Sequence, residues 1–84
     1  MKESMITFRS VTPAQRAEGV LKHAKIRCTL QRTPRQMEEQ GCGYSLRLQY
    51  SQLHLAAQLL RDHAIAFRKC YVQDETGRLE EVWL

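Results

Sequence analysis

The chain has 84 residues, 43% of them hydrophobic and 26% charged, enough for one modest core and too few to wall off an enclosed substrate cavity. A large enzyme is excluded, and so is a disordered chain. The net charge of +4 arises from 13 Lys and Arg scattered along the whole length, so no block of like charge marks a nucleic-acid arm or a polybasic anchor.

No apolar run approaches the roughly 20 residues of a membrane span, and the start Met1-Lys2-Glu3-Ser4 lacks a secretory hydrophobic region. The expected location is the cytoplasm. Three cysteines, Cys28, Cys42 and Cys70, are an odd number at wide spacings, which fits free thiols rather than a disulfide framework or a zinc knuckle. His23, His54 and His63 lack the spacing that converges two imidazoles on one helix face, so no metal site is expected.

Met5 to Phe8 reads as a first strand with Ile6 and Phe8 on one face. Thr12-Pro13-Ala14-Gln15 has the form of a capping box with proline at the first helical position, which predicts a helix starting there. Ala14, Ala17, Val20, Leu21 and Ala24 form its apolar stripe. The next segment alternates, with Ile26, Cys28 and Leu30 inward and Arg27, Thr29 and Gln31 outward, as in a half-exposed strand.

Thr33-Pro34-Arg35-Gln36 repeats the helix-start pattern, and Gly41 would end the short helical turn it opens. Alternation then returns, with Tyr44, Leu46 and Leu48 inward and Ser45, Arg47 and Gln49 outward. Ser51 is placed to cap a second helix running to about His63, with Tyr50 and Leu55 as a hydrophobic staple. Its apolar face is Leu53, Ala56, Ala57, Leu59 and Leu60. Ile65 to Val72 reads as a fourth strand, although Arg68 and Lys69 blur its buried face. Asp74-Glu75-Thr76-Gly77 is a turn signal, and Leu79 to Leu84 returns as an edge strand or a surface arm.

These elements predict a single α+β domain over residues 1–84: a ferredoxin-like split βαββαβ sandwich, an antiparallel sheet with both helices on one face, plus a C-terminal hairpin arm. The open sheet face would then carry Arg27, Thr29, Gln31, Ser45, Arg47 and Gln49.

Chemistry is sought first at Cys42, which lies between Gly41 and Gly43 at the mouth of the third strand, outside the alternating core pattern. Glycine neighbours let backbone amides approach whatever the sulfur carries, while the same tripeptide is also an ordinary tight turn. A thiol of ordinary pKa, about 8.5, is only a few per cent ionised at neutral pH, so reactivity needs cations or donors nearby. Arg35 and Arg47 are the candidate cations, and Gly43 offers its amide. Cys28, on the inward parity, reads as a small buried hydrophobe. Cys70 reads as a buried strand cysteine, with a resolving thiol as the alternative.

The Ile6-Thr7-Phe8 strand with Ser10, the helix Arg16-Ala17-Glu18-Gly19-Val20-Leu21-Lys22, then Thr33-Pro34-Arg35 and Cys42-Gly43 before an apolar strand with Arg47, resemble the selenium/sulfur (Se/S) carrier-like proteins. The resemblance spans roughly residues 5 to 70, and Pro-Arg followed by Cys-Gly is its most specific part. It implies a carrier rather than a turnover enzyme. Cys42 would be the carrier thiol, Gly43 its backbone partner and Arg35 the nearby cation, with no cofactor. Its partners would be a protein donor and a protein acceptor of sulfur or selenium.

Two other classes compete. A small regulatory or assembly module would use the sheet face or the Trp83-Leu84 end to pair with itself, as a homodimer, or with a larger protein. An RNA-recognition module would need exposed sheet aromatics, where this pattern places Thr, Gln, Ser and Arg.

Overall fold

The computed structural model describes residues 2–33 and 43–84. In chain order the elements among these residues are β1 (Glu3–Phe8), α1 (Val11–His23), β2 (Thr29–Arg32), β3 (Tyr44–Gln49), a 3-10 turn at Tyr50–Gln52, α2 (Leu53–Asp62), β4 (Cys70–Gln73) and β5 (Leu79–Val82). The protein is thus α+β. The expected helical turn beyond Thr33, with its stop at Gly41, lies outside the described residues.

The five strands form one antiparallel sheet in the order β2-β3-β1-β4-β5. Ile6 pairs with Leu46 on one side and Cys70 on the other, and Phe8 pairs with Tyr44. Because side chains alternate across a strand, this register gathers Ile6, Phe8, Leu46, Leu48 and Cys70 on one face, in the same core cluster as Ala14, Ala17 and Leu21 of α1 and Leu53, Ala56 and Leu60 of α2. The alanines let α1 approach α2 and the strands β1, β2 and β3 closely. No helix among the described residues is long and apolar enough to cross a membrane.

The C-terminal arm is the fifth strand of the sheet, paired with β4 from Cys70↔Val82 to Gln73↔Leu79. Its turn is the one signalled by Asp74-Glu75-Thr76-Gly77. The Asp74 carboxylate accepts from the Thr76 amide at 2.9 Å, the Thr76 hydroxyl at 2.6 Å and the Arg78 amide at 3.0 Å, and these donors hold it below the usual carboxylate range. Gly77, at φ +87°, supplies the left-handed residue that closes the loop.

Helix starts differ from the sequence pattern. Ser10 is the extended residue before α1, which begins at Val11, so Thr12 is inside the helix rather than its cap. Pro13 is still tolerated, because no amide in the first turn has an intrahelical partner to lose. In α2 the 3-10 turn takes up Ser51, and Leu55 is 55% exposed instead of stapled. Tyr50 instead meets the His54 ring edge-on at 6.4 Å, with the Lys2 ammonium 5.9 Å from its centroid.

The two helices end in the same way. After α1 the Lys25 amide donates to the Lys22 carbonyl at 2.9 Å and the Ile26 amide to the Leu21 carbonyl at 2.9 Å; after α2 the Ala64 amide donates to Arg61 at 3.0 Å and the Ile65 amide to Leu60 at 2.8 Å. This is the Schellman arrangement, in which the residue after the cap is left-handed and the next one packs back on the last turn. Lys25 and Ala64 occupy the left-handed position at φ 64° and 56°, and Ile26 and Ile65 are both buried.

These exits explain why β2 and β4 are shorter than their alternation suggests. Ile26 and Ile65 are held against the helix ends, so each chain reaches the sheet only after several more residues, at Thr29 and Cys70. At β4 the join is a bulge: Arg68 donates its amide to the Thr7 carbonyl at 2.8 Å, and Thr7 donates its own amide to the Lys69 carbonyl at 2.8 Å. The Lys69 amide finds the Thr7 hydroxyl at 3.1 Å. Two residues therefore oppose one, which is the physical origin of the ambiguous facing of Arg68 and Lys69.

Two outcomes follow for stability. Ala64→Gly relieves the left-handed strain at an exposed site and should stabilise the fold by about 0.5–1 kcal/mol, net of glycine's greater freedom when unfolded; urea denaturation checks this. Thr7→Val keeps the volume but strips the Lys69 amide of its acceptor, and should cost about 1–2 kcal/mol in the same assay.

Candidate functional site at the base of the 34–42 connection

β2 and β3 are antiparallel neighbours, with Arg32 opposite Tyr44 and Gln31 opposite Ser45. One further bond, from the Thr33 amide to the Gly43 carbonyl at 3.0 Å, brings the two ends of the 34–42 connection together. The expected site residues Cys42 and Arg35 lie within that connection, outside the described residues. Gly43 is buried at its base.

The base holds polar groups that the sequence pattern does not single out. Ser45 is fully buried, although its parity suggests an outward, wet position. Neither its hydroxyl nor that of Thr33 has a hydrogen-bond partner among the described residues. In the same row of the sheet Thr7 is engaged: its hydroxyl donates to the Lys69 carbonyl at 3.2 Å. One row along, Met5 accepts from the Gln31 amide nitrogen at 3.6 Å through its sulfur. The guanidinium of Arg32 lies 5.9 Å from the Tyr44 ring centroid, a cation–π contact on the other face of the sheet. Thr33 enters the sequence pattern only as a helix start, and nothing marks the Ser45 hydroxyl, since a single hydroxyl carries no periodicity.

Arg47 lies four positions along β3 from Gly43, about 13 Å at the usual strand rise. Its guanidinium donates to the Glu3 carboxylate at 2.9 Å. Both residues belong to the open face, which register also gives Tyr71, opposite Met5. Tyr71 is an aromatic on that face that alternation through Arg68 and Lys69 could not assign.

The other two cysteines have separate environments. Cys70 is 2% exposed in the core, and burial pushes its thiol above the ordinary range, up to about 11, against a smaller opposing pull from Arg61. It is therefore protonated at neutral pH. Cys28 is half-buried beside the exit of α1, and its thiol is also pushed up, by burial first and then by the Glu18 carboxylate, with Lys22 opposing. Neither has the depressed pKa of a reactive thiolate. Among the described residues no group of three or more His, Cys, Asp or Glu could hold a metal ion.

Burial of Cys70 links stability to pH. The unfolded thiol ionises near its ordinary pKa and the folded one only near 11, so unfolding gains ionisation in between. Stability conferred by the neutral buried thiol is intact below pH 9.0 and is lost as pH rises toward about 11. Denaturation midpoints measured across that window should fall for the native sequence and fall less for Cys70→Ala.

A family model described as Putative Se/S carrier protein-like matches residues 3–72. No curated protein and no solved structure matches the chain.

Proposed function

Since this chain belongs to the Se/S carrier protein-like family, whose model covers residues 3–72, we propose that it accepts sulfane sulfur or selenium on Cys42 and hands it to a partner protein. The step needs no cofactor. The Cys42 thiolate attacks the outer sulfur of a persulfide donor, R–S–SH; its S–S bond breaks, R–S⁻ leaves and takes up a proton, and Cys42 holds the new S–S bond. Selenium in place of the outer sulfur follows the same balance. An acceptor thiolate then repeats the attack and releases Cys42.

The observation that carries this reading is the family match over residues 3–72, a span that contains Cys42. The raised pKa values of Cys28 and Cys70 count against either of them as the exchanging thiol. In this proposal Gly43 supplies close-approaching backbone and Arg35 supplies positive charge, whereas Arg47, about 13 Å along β3 from Gly43 and paired with Glu3, does not serve the thiol. We further infer that the sheet order corresponds to the ferredoxin-like arrangement with β5 added at its edge, that both helices lie on one face, and that the carrier works in the cytoplasm.

One observation favours a second reading. Trp83 is 86% exposed beside the edge strand β5, a large apolar contact of the kind an assembly module presents to a second copy or a larger protein.

Incubating the reduced protein with a persulfide donor and mapping the modified peptides separates the two. Addition of a single sulfur at Cys42, lost in Cys42→Ser, supports the carrier; equal labelling of all three cysteines, or none, overturns it. If Cys42→Ser leaves every partner interaction intact and Trp83→Ala abolishes them, the assembly reading replaces it.

A further inference from the structure

A second feature owes nothing to Cys42. Because Ile26 is held to the end of α1 by its bond to the Leu21 carbonyl, the chain cannot join β3 until Thr29. Residues 26 to 28 thus run apart from Leu48 and Gln49, and the gap is an open cleft of about 740 Å³. That volume lies in the usual range for small-molecule sites, about 300–1,000 Å³.

The lining is strongly biased in charge. Lys22, Lys25, Arg27 and Arg47 all border the cleft, against one carboxylate, Glu3. Lys22 is paired with Glu18 at 3.3 Å and Arg47 with Glu3 at 2.9 Å. Lys25 and Arg27 have no ion pair among the described residues, so two positive charges face the cleft uncompensated. Ile26 and Leu48 border it from the core, both buried, and the neutral Cys28 thiol and Thr29 complete the wall.

Comparing the two helix exits shows that the charge is not required by the turn. The position equivalent to Lys25 after α2 is Ala64, in the same left-handed conformation and with the same pair of backbone bonds. A lysine there adds a cation at the cleft mouth that the fold does not need.

We propose that this cleft binds a small phosphorylated ligand of about nucleotide size, its phosphate held by Lys25 and Arg27 and the rest of it lying in the open gap between residues 26 to 28 and Leu48 and Gln49. Phosphate suits the pair: a guanidinium fork and a mobile ammonium together satisfy several of its oxygens. The Cys28 thiol, at the cleft wall, reports occupancy without taking part in binding chemistry.

The test uses ADP and inorganic pyrophosphate as probes in amide NMR titrations at low ionic strength. Saturable shifts on residues 25 to 29 and Leu48 with ADP, and weaker binding of pyrophosphate, are expected. The double variant K25Q/R27Q, at two exposed side chains, should weaken ADP at least about tenfold, the loss of one good charge-assisted contact. R9Q/R16Q, which removes the same charge elsewhere, should leave binding within about twofold. ADP should also slow alkylation of Cys28 and not of Cys70. Shifts that do not saturate, equal losses in the two double variants, or unprotected Cys28 would overturn the proposal. A Cys42→Ser protein that still binds ADP separates this site from the carrier chemistry, since failure of one leaves the other standing.

Discussion

The constraint on which the layout depends is the way each helix releases the chain. A left-handed residue reverses the backbone, and the isoleucine after it is buried while its amide caps the last turn. Ile26 and Ile65 are therefore fixed to both the helix end and the core. The chain after each can join the sheet only where the tether permits, which sets the first paired residues of β2 and β4. The cleft beside α1 and the bulge beside Thr7 are two consequences of one geometric rule applied twice.

That same rule decides where cysteine chemistry can occur. Cys28 lies between the α1 exit and β2, half-buried and near the Glu18 carboxylate, so its neutral form is favoured. Cys70 is the first paired residue after the α2 exit, deep in the core against Ile6. Burial without donors raises a thiol pKa, and nucleophilicity at neutral pH falls with the thiolate fraction. In the family reading, then, the fold removes two of its thiols from competition and places the third in the connection between β2 and β3, the pair of strands whose ends are closed by Thr33 and Gly43.

Much of this was legible in the residues because burial imposes periodicity. Ala14, Ala17 and Leu21, and Leu53, Ala56 and Leu60, are spaced as helix faces and are buried as such. Leu46 and Leu48 alternate and are buried. Boundaries were less legible, for physical reasons. Ile26 and Ile65 fit the strand parity that follows them, yet they belong to helix exits, where the left-handed residues are Lys25 and Ala64 rather than the glycine that would have signalled the stop. Thr12-Pro13 has the form of a cap but lies within the first turn, because proline is accepted at any first-turn position lacking an amide partner. The family resemblance, carried by Pro34-Arg35 and Cys42-Gly43, was readable; the hydroxyls of Thr33 and Ser45 were not.

Those two hydroxyls bear on how the base of the connection is built. A buried hydroxyl without a partner costs about 1–3 kcal/mol, and the described structure carries two, both within two positions of the Thr33–Gly43 bond. Their neighbours show that the sheet can satisfy such groups: Ser4, also fully buried, donates to the Leu48 carbonyl at 3.0 Å, and Thr7 both donates to and accepts from Lys69. Polar groups are therefore paired along β1, whereas at the ends of β2 and β3 the Thr33 and Ser45 hydroxyls have no partner among the described residues. The core of Ile6, Phe8 and Leu46 beside them is what offsets such a local cost.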